Sequence, residues 1–222
     1  MLKKKGHLQN AEVLKGVHSK ILQSDLILAQ TVQKMKEQLN YTYIETDVTG
    51  ALLVFRKQTQ NLVFASLGND KHFLLENVKA FLKKNGKQDT KYDLQELKDR
   101  EEYKQSIENY RICLENKMPL PSHTIPFEFL FGTEFQHKVW SELLKVEHGN
   151  VVTYGDIAKR IGKPTAARSV GRACGSNNLA LVVPCHRIIG SNKKLTGYKW
   201  SCKLKEQLLN NERKNKLELK KF

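Results

Sequence analysis

The stretch Val182-Val183-Pro184-Cys185-His186-Arg187-Ile188-Ile189 constrains this chain more than any other. An apolar run stops at a proline, a cysteine and a histidine stand side by side, and the apolar run resumes. Pro184 fixes the backbone just before the thiol. A thiol is a good nucleophile only as thiolate, and its ordinary pKa of about 8.5 leaves a small ionised fraction at neutral pH. His186 and Arg187 set a base and a positive charge beside it, which raises that fraction. These residues alone allow two readings: a small buried hydrophobe at a strand end, or a reactive thiol.

At 222 residues the chain suits one large domain or two small ones. Its four cysteines (Cys113, Cys174, Cys185 and Cys202) include no close pair, which points to a reducing compartment rather than a disulfide framework. Net charge is +15 and unevenly placed: residues 118–222 carry 18 Lys and Arg against 8 Asp and Glu. A basic C-terminal half is what a polyanion-binding surface needs, although solvated lysines give the same sum. No apolar run approaches the roughly 20 residues of a membrane span, so no membrane partner is expected. Lys3-Lys4-Lys5 is followed by polar residues, which is not a secretory signal.

In chain order, residues 1–34 read as a basic extension, with Ile21, Leu22, Leu26, Ala29, Val32, Met35 and Leu39 at helical spacing. Residues 41–48, 51–56 and 62–67 read as three strands of an antiparallel meander. Gly68-Asn69-Asp70 starts a helix whose apolar positions are Phe73, Leu74, Val78, Phe81 and Leu82. Residues 89–117 are charged and helical in pattern, with Leu94, Leu97, Tyr103, Ile107, Tyr110 and Leu114 as sparse apolar positions. Met118-Pro119-Leu120-Pro121-Ser122 marks a linker. The expected organisation is therefore an extension (1–34), an α/β scaffold domain (35–117), a linker (118–126) and a mostly helical C-terminal domain (127–222). The fold class is mixed α/β, or α+β.

Beyond the linker, Gly132-Thr133 opens a helix with Phe135, Val139, Trp140, Leu143 and Leu144 as its stripe, ended by Gly149. A short extended entry at 151–155 leads into a short helix, a Gly162-Lys163 turn, and a second helix from Pro164-Thr165 to about Gly175. Helix, short glycine-containing turn and small-residue helix is the helix-turn-helix pattern of DNA binding, though the same unit serves as plain packing. The second helix reads Ala166-Ala167-Arg168-Ser169-Val170-Gly171-Arg172-Ala173-Cys174. Its small side chains permit close approach to a groove, or equally tight helix packing. Arg168 and Arg172, at i and i+4, tilt the reading towards nucleic acid. The thiol follows about ten residues later, and a groove-reading helix that feeds a nucleophile means chemistry on DNA.

Residues 132–212 resemble the O6-alkylguanine-DNA alkyltransferases, the methylated-DNA–protein-cysteine methyltransferases. The matching pieces are Gly132-Thr133-Glu134-Phe135-Gln136 with Val139-Trp140, Thr153-Tyr154-Gly155-Asp156-Ile157-Ala158, and the run from Gly162 to Gly171. Asn177, Pro184-Cys185-His186-Arg187, Gly197-Tyr198, Lys205, Leu208-Leu209 and Glu212 complete them. The resemblance extends from about Met35 onward; residues 1–34 lie outside it.

The resemblance implies a single-use repair enzyme acting on alkylated duplex DNA, without metal or cofactor, monomeric and nuclear. The Cys185 thiolate attacks the alkyl carbon on guanine O6. His186 takes the thiol proton through an ordered water and Glu212 steadies the imidazolium. From spacing alone Glu212 is a surface helix carboxylate. Tyr154 donates to guanine N3 and presses on the adjoining phosphate, while Asn177 ties the recognition helix to the active-site loop. The target base is flipped out of the stack and Arg168 fills its place. Ala166, Ala167, Ser169, Gly171 and Arg172 line the minor groove, with Ser191 as a further DNA contact, so binding is nearly sequence-independent. Val183, Ile188, Tyr198, Lys199 and Cys174 are expected around the guanine pocket.

Lys199 departs from the family, which has a serine-like residue there. The zinc site of animal members needs N-terminal cysteines absent here. Among rivals, a zinc deaminase needs Pro-Cys-x-x-Cys, but no cysteine follows at 188. A non-catalytic lesion-binding module lacks the acceptor cysteine, which is present, and a Cys-His hydrolase has no use for an arginine helix.

Overall fold

The computed structural model describes residues 37–86, 92–115 and 124–219. The helix expected within residues 1–34 lies outside them, as does most of the expected linker. The chain falls into two compact units. One, Met1–Glu37 with Gly86–Asp93, is mostly outside the described residues; the other, Gln38–Asn85 with Leu94–Phe222, carries the features below.

Strands β1 (Glu37–Ile44), β2 (Ala51–Arg56) and β3 (Leu62–Leu67) form the expected antiparallel meander, but β1 starts four residues before the expected 41–48, so Leu39, read at helical spacing, is a buried strand residue opposite Arg56. Tyr41 faces Val54, and Ala51 faces both Ile44 and Leu67 across the ladders. β2 and β3 are buried almost throughout, which explains their unbroken apolar runs. A fourth strand, β4 (Tyr92–Glu96), lies outside β1, giving the order β3-β2-β1-β4. The sequence reading assigned these residues to a helix because Leu94 and Leu97 are three apart. The Leu97 N–H instead donates to the Tyr41 carbonyl at 2.8 Å, so pairing with an open strand edge overrides a weak helical period.

Helix α1 (Lys71–Asn85) is capped by Asp70, whose Oδ1 accepts from the Phe73 amide at 2.9 Å. Leu74, Val78 and Leu82 face the core at four-residue spacing, and Phe73, one position off that row, is 62% exposed. The apolar face is thus narrower than the sequence suggests. A 3-10 turn at Glu101–Tyr103 leads into α2 (Lys104–Glu115), which buries Ile107, Tyr110 and Leu114.

Residues after 124 complete the sheet's other edge. Leu62 bridges Phe127, and Ala65 bridges Leu179; the Ala65 amide donates to the Asn178 carbonyl at 2.7 Å. Covering β3 in this way satisfies an edge that otherwise stands open. Tyr110, fully buried on α2, donates its hydroxyl to the Ala180 carbonyl at 3.0 Å.

The remaining elements are α3 (Glu134–Leu144), β5 (Val152–Thr153), α4 (Tyr154–Arg160), α5 (Ala167–Gly175), a 3-10 turn at Cys185–Arg187, β6 (Ile188–Ile189) and α6 (Cys202–Leu219). Helix α3 opens with a Thr133–Gln136 capping box. It ends at Leu144, five residues before Gly149, so Gly149 does not terminate it. Trp140 ties α3 to the helix-turn-helix by donating Nε1–H to the Ala173 carbonyl at 2.9 Å. One apolar cluster runs from Ile44, Phe55 and Tyr110 to Val139, Val170 and Leu208. Among the described residues no helix is long and apolar enough to cross a membrane.

Replacing Tyr110 by Phe removes one buried hydrogen bond and orphans a carbonyl beside the cysteine segment. The expected loss is about 1–2 kcal/mol, read as a lower urea midpoint with unchanged slope. An unchanged midpoint would rule out the Tyr110 hydroxyl as a tie to that segment.

Candidate active site

The nucleophile's segment is set by backbone hydrogen bonds before any side chain acts. Leu181 takes a left-handed conformation (φ 66°), sparsely populated for a branched residue and held here by burial on all sides. Pro184 then turns the chain into one 3-10 turn carrying Cys185, His186 and Arg187, and the Arg187 amide closes on the Pro184 carbonyl at 2.9 Å. Next, β6 pairs in parallel with β5, Ile188 opposite Val152 and Ile189 opposite Thr153. That pairing brings Tyr154, which follows Thr153, alongside the cysteine turn.

Cys185 is 3% exposed, and its Sγ accepts a hydrogen bond from Asn177 Nδ2 at 3.2 Å. The same carboxamide donates to the Val183 carbonyl at 3.0 Å, and its Oδ1 accepts from the Leu179 amide at 2.8 Å. Asn177 therefore joins the end of α5 to the nucleophile by side-chain bonds on both sides. Burial pushes the Cys185 thiol up; the Asn177 hydrogen bond and the charges of Lys205 and Lys199 pull the other way without overcoming it. The resting sulfur is a thiol, and a base must take its proton.

His186 is the candidate base. It is 2% exposed, with Nε2 2.9 Å from Glu212 Oε1. An ionised carboxylate can only accept, so Nε2 carries the proton and Nδ1 presents its lone pair. Among the described residues Nδ1 has no protein partner. Burial lowers the His186 pKa, with the Glu212 hydrogen bond and charge opposing, so the ring is neutral at pH 7.

Glu212, on α6, is 5% exposed and heavily bonded. It accepts from Arg187 Nη2 at 2.9 Å, from Arg187 Nε at 3.1 Å and from the Gly149 amide at 2.9 Å, besides His186. Burial alone pushes its carboxyl up; the His186 bond and charge and the Arg187 charge outweigh that and hold it well below the usual carboxylate range. Arg187 also donates to the Val146 carbonyl at 2.7 Å. Arg187 is thus committed to Glu212, and the charges acting on the sulfur are Lys205 and Lys199. This corrects the expectation that Arg187 favours the thiolate by standing next to it: adjacent residues of a 3-10 turn project in different directions.

Gly149, read from sequence only as a helix end, has φ 73°. That left-handed backbone, which residues with a side chain rarely adopt, aims its amide at Glu212. Lys205 is fully buried, its amine donating to the Ile188 carbonyl at 2.6 Å and the Thr196 carbonyl at 2.8 Å. In the sequence Lys205 enters only as one of the residues that match the family, with no burial or partner assigned to it.

Tyr154 begins α4 behind a Thr153–Asp156 capping box, and its hydroxyl accepts from Thr196 Oγ1 at 3.3 Å. Burial raises its pKa, so it remains a proton donor at neutral pH. On α5, Val170, Ala173 and Cys174 face inward, and burial and then the Cys185 thiol push the Cys174 thiol far up. Arg168 and Arg172 are exposed, with Ala166, Ala167, Ser169 and Gly171 half-buried. Arg172 Nη2 donates to Ser169 Oγ at 3.1 Å. A Cβ at Gly171 would stand 3.6 Å from the Tyr154 ring, ordinary contact, so packing does not require a glycine there. Beside this helix a cleft of about 620 Å³ is lined by Phe135, Lys163, Ser169 and Arg172.

Val183 and Ile188 are buried at the cysteine turn, their carbonyls engaged by Asn177 and Lys205. Tyr198 meets His186 edge-on at 6.5 Å. Ser191 is exposed in the loop over residues 190–199. The Lys199 amine reaches back to the Asn177 carbonyl. Among the described residues no group of three or more His, Cys, Asp or Glu side chains is placed to hold a metal ion.

A family model, 6-O-methylguanine DNA methyltransferase, DNA binding domain, matches residues 134–214. The chain is 82% identical over 185 residues to the methylated-DNA–protein-cysteine methyltransferase of Saccharomyces cerevisiae, covering 83% of this chain and 98% of that one. The Candida glabrata enzyme of the same name is 38% identical over 183 residues, covering 79% and 87%. Among solved structures, the O6-methylguanine methyltransferase of Mycobacterium tuberculosis superposes with TM-score 0.59 at 26% identity, over 80% of this chain and 94% of that one. Mycobacterium tuberculosis OGT in complex with DNA superposes with TM-score 0.57 at 25% identity, with the same coverage.

The low Glu212 pKa has a definite sign. Below the ordinary glutamate pKa of about 4.3 the unfolded chain binds a proton that the folded chain refuses, so stability falls as pH drops through that range. Glu212→Gln leaves Arg187 buried without its counter-charge and should cost about 3–5 kcal/mol at pH 7. The gap to wild type should narrow as pH falls into the acid range. Urea titrations at pH 7 and in mild acid check this; an equal gap at both overturns it.

Proposed function

The chain belongs to the methylated-DNA–protein-cysteine methyltransferase family, and from that premise we propose how its own residues carry the transfer. It is a methyltransferase that repairs O6-alkylguanine in DNA by moving the alkyl group to a cysteine. The acceptor in this reading is Cys185. The observation that carries it is a buried thiol one residue from a neutral imidazole whose Nε2 is locked on Glu212, leaving Nδ1 as the free base.

The thiol proton passes to His186 Nδ1 through a bridging water, and Glu212 stabilises the imidazolium. The sulfur forms a bond to the alkyl carbon as the bond from that carbon to guanine O6 breaks. The released electron pair stays on guanine, which takes up a proton, with the Tyr154 phenol as donor at N3. The thioether product has no leaving group that restores the thiol, so each molecule acts once.

The lesion reaches the sulfur only if its nucleotide leaves the stack, at a cost of a few kcal/mol. Arg168, exposed on α5, takes the vacated place from the minor-groove side. The small residues 166, 167, 169 and 171 let the helix backbone approach the groove. Lys163 and Arg172 on the neighbouring cleft, neither in an ion pair among the described residues, offer charge to the phosphates. The protein works as a monomer on duplex DNA, and its substrate makes the nucleus its place of action.

Two experiments test the reading. Exposure to a duplex carrying one O6-methylguanine should add one methylene of mass per chain, mapped by peptide analysis to Cys185. Cys185→Ala should still bind the duplex and gain nothing. Mass on another residue, or many turnovers per molecule, rejects the mechanism. Separately, Arg168→Ala should slow repair of a paired lesion more than of the same lesion in a single-stranded oligonucleotide, and wild-type DNA affinity should fall steeply with salt. Equal slowing would sink the role of Arg168 in extrusion, and a salt-independent affinity would remove the basic face as contact surface.

A further inference from the structure

Lys199 is an unusual lysine. Its residue is exposed, yet its amine is not free in water. Nζ donates to the Asn177 backbone carbonyl at 3.1 Å and to Asn178 Oδ1 at 2.7 Å. It also stands over two aromatic faces, 5.3 Å from the centre of Trp200 and 5.8 Å from that of Phe64. No carboxylate pairs with it among the described residues. Two carbonyl-type oxygens and two ring faces form a seat for a cation and for nothing neutral of that length. The seat is built from strand β3, the turn after α5 and the substrate loop itself, three stretches distant in sequence.

What the amine grips is the residue that serves the nucleophile. The peptide carbonyl of Asn177 accepts from Lys199, while the side chain of Asn177 donates to Cys185 Sγ at 3.2 Å. Meanwhile Lys205 holds the same loop further back through the Thr196 carbonyl. We propose that Lys199 is a positioning residue for the transfer: its ammonium clamps the turn at 177–178 so that the Asn177 carboxamide stays aimed at the sulfur. The inference rests on Cys185 being the acceptor. It also gives the residue that replaces the family's serine-like position a task outside the guanine pocket.

The surroundings of the sulfur leave that charge few competitors. Lys205 faces it from α6, Cys174 from α5, Tyr110 from α2, Tyr154 from α4 and Tyr198 from the loop. Burial holds the Cys174 thiol and the three phenols protonated at neutral pH, and it keeps His186 uncharged. Lys199 and Lys205 are the cations that act on the sulfur, although burial lowers the pKa of both.

The test compares the full-length wild type with Lys199→Met and Lys199→Arg. Each is mixed in saturating excess with a duplex carrying one O6-methylguanine, and the single-turnover rate constant is followed from pH 6 to 9.5. Affinity for undamaged duplex and the thermal midpoint are measured alongside. Lys199→Met should lose about tenfold at pH 7, as for a one-unit rise in thiol pKa. The deficit should shrink as pH rises, because burial lowers the Lys199 pKa and the wild type loses that charge towards alkaline pH, with DNA affinity within about twofold of wild type. Lys199→Arg should recover most of the rate. If Lys199→Met folds poorly, Asn178→Ala, which removes one oxygen of the seat, should shift the profile in the same direction by less. A wild-type rate and profile in Lys199→Met, or a deficit equal at every pH that arginine does not repair, overturns the proposal. Failure of wild type to gain mass at Cys185 overturns instead the transfer reading beneath it.

Discussion

A buried carboxylate among three kinds of donor is the point on which the functional half of this molecule turns. Removing Glu212 from water opposes its ionisation, and His186, Arg187 and the Gly149 amide together reverse that effect. None of these partners is a neighbour in sequence: they reach Glu212 across 25 to 63 residues. The pairing therefore does three things at once. It docks α6 against the cysteine turn, sets the imidazole tautomer, and anchors the loop after α3 through Val146 and Gly149. A buried ion pair is weak evidence for stability in its own right. Its value here is geometric, since a neutral substitute would release the ring that has to accept a proton.

Around this anchor the reactive sulfur is both shielded and prepared. Burial makes thiolate formation harder, and Asn177, Lys199 and Lys205 partly offset that. A thiol that stays protonated until substrate and base are aligned is protected from oxidation and stray alkylation. The N-terminal sheet contributes through position rather than chemistry. β3 lies beside Leu179, Tyr110 holds Ala180, and Ser66 accepts from Trp200 Nε1 at 2.9 Å. Without that support the strained turn at Leu181 would have little to oppose its relaxation.

The local readings held where one short period or one cap decides the outcome. The β1–β3 meander, the helix opened at Gly132-Thr133 and the two helices around Gly162-Lys163 all follow from residues a few positions apart. The misreadings have a common cause, competition between local pattern and a distant partner. Leu94 and Leu97 suggested a helix, but an open edge of β1 claimed the segment as β4. Phe73 looked apolar-facing, yet the row through Leu74, Val78 and Leu82 already fills the contact. Arg187 seemed a charge for the thiol, and Glu212 took it.

By itself the order of residues determined the candidate thiol, the histidine beside it, the arginine-bearing helix and the spacing between them. Each is a matter of residue type within one turn or one helix, where backbone geometry leaves little choice. Only the tertiary structure decided that Glu212 is buried rather than solvated, that the Gly149 amide binds it, that Lys205 is sealed inside, and that Lys199 grips Asn177. Those facts depend on which surfaces meet when the chain closes on itself. A charged side chain reads the same in sequence whether water or a buried counter-charge receives it.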